Sequence, residues 1–492
     1  MPRPSIALST LLLLSLCACT QAARVDTELP SVVPHGPLLE DTSRGVSSTT
    51  PVEDWWTLYD DPVLGRLVQE ALRDNLDLKA AAARVAQARS VVDARKRARL
   101  PSTQVSAGAG YGSTLEDQVA AALDNGPVRT GVRYDAGLDF SWDTDINGRL
   151  GASVRAARAS AEEVQARADG IRIDVATETA RAYIDMCGYA ARTADAQHSL
   201  TLLTQSVSLH KKILAAGEGN RLDVVRTQGL ADEAEAAIPP LQSAHDNAVF
   251  ELALLLGKSA DALPPDATSC RSVPRLATPL PTGDIAGLLK RRPDVRAADD
   301  HLKASVAGVD IATADMYPSV SIGAGLLSSA TSIAGLDDRS SMVWRIGPLL
   351  SWSFPNIAVA RAKIAGAKAD QRAALAQFDK SILRAITDVK VALASYDAAL
   401  AQQAALQHAS AQTSEALRLA QLGRTLGAAT AIDLLDAERS DVAARLAVSA
   451  SNANVAVAQI GLFRALGGGW QQPSIVDPKA ISTRSGTSGS AP

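Results

Sequence analysis

A chain of 492 residues with a formal net charge of −4 offers no electrostatic reason to bind nucleic acid. Its one basic run, Arg95-Lys96-Arg97, reads as a solvated helix face. Aromatic residues are only 4% while alanine crowds the helical stretches, which suits thin, closely packed helices better than a thick globular core. Beyond the N-terminus no uninterrupted apolar run reaches about eighteen residues, which argues against a membrane-spanning helix.

Met1 to Ala18 has an early arginine, an apolar run from Ile6 to Leu16 and a small-residue ending, the layout of a secretory signal. Leu16-Cys17-Ala18-Cys19 matches a bacterial lipobox, so Cys19 is the expected lipid attachment site and first mature residue. Thr20 follows it, where an aspartate would favour inner-membrane retention. Residues 19–53 then form an extended arm rich in Pro, Ser and Thr.

A first repeat is expected over 54–257. Helices run to Leu100 with a break at Asn75, and strands follow at about 102–111 and 132–142. A long helix then seamed by Ile173, Ala176, Ala180, Tyr183 and Cys187 runs to a reversal at Gly217, and Pro239-Pro240 kinks the return to Leu256. Residues 258–283, carrying five prolines, form an equatorial linker. The second repeat, 284–469, has a helix up to Met316, strands at about 319–327 and 343–354, and a helical hairpin turning at Gly427; a Ser/Gly-rich tail occupies 470–492.

In each strand one face is apolar and the other small or polar. Val320, Ile322, Ala324 and Leu326 alternate with Ser319, Ser321, Gly323 and Gly325. The lengths approach the roughly 9–11 residues a tilted strand needs to cross a bilayer. Four strands cannot close a membrane barrel, and an open edge in lipid is not tolerated, so several chains must share one.

The halves are a tandem duplication. An offset of 217 residues aligns Pro101 with Pro318 and Ser102 with Ser319; an offset of 210 aligns Trp142 with Trp352, Gly217 with Gly427 and Asp223 with Asp433. The lost seven residues belong between the strands, where length changes are cheap.

Chemical motifs are weak by comparison. Gly257-Lys258-Ser259 lacks the first glycine of a phosphate loop and reads as a helix end. Gly108, Gly110 and Gly112 read as relief of crowding in a curved strand. No metal-ligand spacing links the six histidines, and those on helices should be mostly solvated. A Cys187–Cys270 bridge is disfavoured, because one cysteine lies mid-helix and the other in the linker. No nucleophile motif or convergent polar constellation points to an enzyme, a cofactor or a metal.

Together the lipobox, the repeat, Leu289-Lys-Arg-Arg-Pro-Asp-Val295, Tyr317-Pro318-Ser319 with Leu100-Pro101-Ser102, Asp143 to Leu150 and the turns Gly217…Asp223 and Gly427…Asp433 resemble the outer-membrane-factor family of TolC-like channel-tunnels. The OprM/NodT-type efflux lipoprotein branch is nearest. The resemblance implies a mainly α fold with a membrane β-barrel portion, built as a homotrimer whose twelve-stranded barrel continues into an α-helical barrel. It further implies an outer-membrane, lipid-anchored protein reaching into the periplasm, partnered by a periplasmic adaptor and an inner-membrane pump of the resistance–nodulation–division class. Such a duct would pass small molecules or drugs. The alternatives are a type I protein-secretion duct and a structural coiled-coil lipoprotein, which has no use for strand pairs.

Two departures stand out: Phe354-Pro-Asn replaces the usual bend after the fourth strand, and Gly423-Arg424 stands where many relatives carry Arg-Tyr. Gly217, Asp223 and Gly427 are the candidate adaptor-contacting tip. Asp433 and Asp436 match the family's paired gate aspartates, and lie three apart on one helix face. In a trimer their crowding should raise their pKa values and favour cations.

Overall fold

The computed structural model describes residues 45–47, 49, 52, 54–276, 278–352 and 357–468. The signal, Cys19, most of the arm including His35, the bend at Phe354–Asn356 and the C-terminal tail lie outside the described residues. In chain order the helices are α1 (Pro62–Asp74) and α2 (Leu76–Arg97), then strand β1 (Ser102–Gly112), α3 (Leu115–Leu123), β2 (Gly131–Asp143), α4 (Arg149–Ala215), α5 (Arg221–Ala236) and α6 (Ile238–Leu255). After the linker come α7 (Ile285–Arg291), α8 (Pro293–Ala314), β3 (Ser319–Ala330), β4 (Met342–Ser351), α9 (Ile357–Thr425) and α10 (Ala431–Ala465).

The chain divides into two units. One comprises Gln87–Glu163 and Asp299–Gln377, and its centre is an antiparallel sheet in the order β1-β2-β3-β4, leaving β1 and β4 as edges. Equivalent hydrogen bonds record the duplication. Trp142 Nε1 donates to Arg99 O at 3.1 Å and Trp352 Nε1 to Met316 O at 3.3 Å, while Ser102 and Ser319 hydroxyls donate to Ser141 O and Ser351 O. The longer first inter-strand segment holds α3, and the shorter second holds two single 3-10 turns. Its capping box, Thr114 with Asp117, stabilises α3 from within the loop.

The other unit contains Val164–Ala298, Phe378 onward and the described residues before Gln87. Its core gathers Trp55, Trp56, Leu64, Leu67, Tyr183, Ile184, Leu252 and Phe463, with Trp55 stacked on Phe463 at 4.7 Å between centroids. Asn75 separates α1 from α2 as its residue type suggests: its side-chain oxygen accepts from Asp77 N and Leu78 N, and its amide donates to Leu255 O. The return from the first turn breaks at Ala237, just before Pro239 and Pro240. Val46–Ser47 pairs in parallel with Leu280–Pro281, tying the arm to the linker.

Two expectations fail, and a third holds with one exception. The helix assigned up to Met316 is two helices, because Pro293 cannot donate within α7 and restricts Arg292, whose ψ is extended, but suits the first position of α8. Arg292 fills the joint. Its buried guanidinium donates to both oxygens of Asp294, to Asp388 and to Ala465 O, a carbonyl at the end of α10. Cys187 and Cys270 do form a disulfide, pinning the linker to fully buried Cys187 on α4. His210 is buried, the exception among helix histidines that are otherwise exposed or partly exposed. By length and composition alone, α10 is the one described helix that could cross a bilayer. Its buried Asp441, held by Ser414 and Arg445, and Gln459, hydrogen-bonded with Tyr59 and Tyr396, instead place it among packed helices.

Candidate functional site

The sheet has two chemically distinct faces because the pairing registers align like with like. One row runs Val105–Leu138–Leu326–Trp344 across all four strands, and the next runs Thr103–Phe140–Ala324–Ile346. Trp344 and Ile346 are both 73% exposed and Val105 is 79% exposed, an apolar face too continuous to stand in water. The opposite rows are Gln104–Asp139–Gly325–Arg345 and Ser102–Ser141–Gly323–Gly347. With 10 to 13 residues per strand, each is long enough to cross a hydrocarbon layer of about 30 Å when tilted. The crowding expected at Gly108, Gly110 and Gly112 is absent, since a Cβ there would meet nothing within 4 Å. It occurs instead at Gly137 and Gly325, where neighbouring side chains cross the strand.

The second candidate region is the pair of helical reversals. Gly217 and Gly427 have φ of +81° and +74°, and a Cβ at either would meet nothing within 4 Å, so glycine is required by the backbone alone. Glu218 N donates to Ile213 O and Ala428 N to Gly423 O, the same six-residue closure of the helix end in both copies. Close packing within each turn requires another glycine, at exchanged positions. A Cβ at Gly219 would lie 2.9 Å from Leu214 N and 3.1 Å from Ile213; one at Gly423 would lie 3.0 Å from Ala429 Cβ. Under the 210-residue offset Ile213 matches Gly423 and Gly219 matches Ala429, so each turn places its small residue on the opposite partner. That exchange accounts for Gly423 in the departure from Arg-Tyr. Gly219 and Thr430 were not singled out by sequence, and Gly423 was noted only as a departure from Arg-Tyr, although small residues either side of a helix-ending glycine are the signal for them.

Asp433 and Asp436 are both exposed near the start of α10, while Leu434 and Leu435 between them are buried. In the protomer Asp433 acts as a cap. Thr430 Oγ1 and Thr430 N donate to its carboxylate at 2.6 and 2.8 Å, and Asp433 N donates to Thr430 Oγ1 at 3.2 Å. The Thr430 hydroxyl, and then its backbone N–H, hold the Asp433 carboxyl below the ordinary aspartate range, opposite to the upward shift expected from crowding alone. The first copy differs: Asn220 caps α5 by accepting from Leu222 N, and Asp223 has Arg226 where Asp433 has Asp436.

Farther along α10, Ser206 on α4 donates weakly to half-buried Glu438 at 3.4 Å. Burial raises the Glu438 pKa and the Ser206 hydrogen bond only partly opposes it. A carboxyl raised in the fold favours the protonated form, so its contribution is fully present below the unfolded pKa of about 4.3 and is lost as pH rises through the folded value. Glu438→Gln should therefore raise the melting temperature at about pH 7.5, with the gain vanishing below about pH 4. Equal effects at both pH values in thermal melts would refute this linkage.

A family model for outer membrane efflux proteins matches residues 67–258 and 285–468, one stretch in each repeat. The chain belongs to the outer membrane efflux protein family. This efflux protein is 28% identical to outer membrane protein OprJ of Pseudomonas aeruginosa, over 96% of this chain and 98% of that one. It is also 28% identical to cation efflux system protein CusC of Escherichia coli O157:H7, over 85% and 88%. Among solved structures the outer-membrane channel OprN superposes with a TM-score of 0.80 at 30% identity, covering 88% of this chain and 98% of that chain. This efflux protein is thus an outer-membrane channel of a tripartite efflux system, mainly helical with a barrel portion.

Proposed function

We propose that three copies close a twelve-stranded barrel in the outer membrane, continued by a helical tunnel that serves as the passive exit for small molecules. A periplasmic adaptor and an inner-membrane pump of the resistance–nodulation–division class would energise transport. The observation that carries this reading is the four-stranded sheet, apolar on one exposed face and unpaired at β1 and β4. In lipid those edges need partners, and further copies of the same sheet supply them. CusC bears cation efflux in its name, so cargo varies among ducts of this kind, and selection by the pump rather than the duct explains that most simply.

The adaptor is assigned to the turns Gly217–Asp223 and Gly427–Asp433. Gly217 and Gly427 face open space, so a side chain added at either costs the protomer only the αL penalty, about 1 kcal/mol. Gly217→Trp and Gly427→Trp should abolish export while leaving oligomers intact; parental export in both variants would remove the turns from the adaptor contact. Lipid on Cys19 is assigned from the lipobox. Mass spectrometry of the mature protein should find an acylated Cys19 at its N-terminus, and an unmodified N-terminus elsewhere would exclude it.

A further inference from the structure

On the polar face of the sheet, Asp139 on β2 and Arg345 on β4 are not neighbours, since β3 runs between them. They meet across it. The registers place Asp139 opposite Gly325 and Gly325 opposite Arg345, and Arg345 Nη2 donates to Asp139 Oδ1 at 3.2 Å. The bridge passes over Gly325, where a Cβ would stand 2.9 Å from Asp139 Oδ1 and 3.0 Å from Arg345 Nε. The first distance is shorter than real Cβ contacts allow and the second is tighter than most of them, so any other residue at 325 would displace the pair.

The two side chains are 53% and 83% exposed, so the pair contributes little to stability and its charges remain open to water. Other charges on this face have partners of their own. Arg133 pairs with Asp117 in the preceding loop, and Asp143 pairs with Arg149. With all three pairs intact, Asp135 remains as the face's uncompensated charge, about −1 per protomer among the described strand residues.

We propose that the Asp139–Arg345 pair is a specificity-determining element of the inner barrel wall. Arg345 cancels Asp139, and Gly325 is the positioning residue that lets them close; without Arg345 the wall would carry twice its negative charge, and without Asp139 it would carry none. The inference rests on the barrel reading above, which turns this face inward.

Planar-bilayer recordings of the full-length protein under a KCl gradient test it, in the Asp433→Asn/Asp436→Asn background so that the tip carboxylates do not mask the wall. At 0.1 M salt, where the screening length is about 10 Å, Arg345→Gln should raise the K⁺/Cl⁻ permeability ratio at least about twofold and Asp139→Asn should lower it. The charge-exchanged double variant Asp139→Arg/Arg345→Asp should return to the background value. Both shifts should shrink at 1 M salt, where the screening length is about 3 Å. Unchanged ratios in both single variants, from channels that conduct, would overturn the proposal while leaving the barrel intact. Absence of any channel from the parent protein would instead overturn the barrel reading.

Discussion

Replacing both Asp433 and Asp436 by asparagine should relieve block by a trivalent cation such as hexaamminecobalt added from the periplasmic side. The half-blocking concentration should rise at least about tenfold, with cation selectivity falling in parallel. Both carboxylates are exposed on one face of α10, and assembly of three copies would gather six. The cap at Thr430 complicates the usual alanine test, because Asp433 also closes the first turn of its helix. Asparagine keeps an acceptor for Thr430 N and removes the charge, whereas alanine removes both. If charge is what gates the pore, Asn and Ala variants should lose block equally. If Asp433 serves only as a cap, the Asn variant should keep the parent's block and selectivity, and recordings of that kind would exclude the gate.

Loss of the Cys187–Cys270 bridge should be the largest stability effect of any single contact. Its cysteines lie 83 residues apart in sequence, and a loop of that size is worth about 4.5 kcal/mol in restricted unfolded-chain entropy. Cys187→Ala/Cys270→Ala should melt several degrees below the parent and should expose 258–283 to proteolysis first, since the bridge holds that linker to α4. Alkylation of the unfolded, unreduced parent should label neither cysteine. Labelling of both without reductant, or an unaltered melt in the double variant, would contradict the bridge.

These two sites also show where sequence reading works. Period is local, so Val320 to Leu326 announces a strand and Asn75 a helix boundary without knowledge of any partner. The turn glycines are equally legible, because positive φ after a helical run is a property of a few consecutive residues. What stays hidden depends on which distant residues meet. Placing Cys187 mid-helix and Cys270 in a linker said nothing about their separation, yet a cysteine count could have found the bridge. If Cys17 leaves with the signal and Cys19 is acylated, those two are the only thiols left among four in an oxidising compartment.

Arg292 shows the same limit. Its motif was visible, but its contacts with Asp388 and Ala465 O required the middle of α9 and the end of α10 to be brought to one joint. Pro293 was a missed local signal, since proline at a first helical position marks a start as clearly as an end. The Asp139–Arg345 pair could not be read at all before the register of β3 was known, because a shift of one residue would put Asp139 on the apolar face. Thr430 was overlooked for a simpler reason. The two aspartates were weighed as charges, and the Thr-x-x-Asp pattern before them is a capping signal.

The claim on which the gate, the wall and the adaptor contact all depend is that the open sheet edges β1 and β4 are closed by two further copies of this chain. Native mass spectrometry of the full-length protein extracted from outer membranes in mild detergent measures this directly. The account predicts particles of three chains, and bilayer conductance from the same preparation. Monomers, dimers or any other stoichiometry in particles that conduct would contradict it.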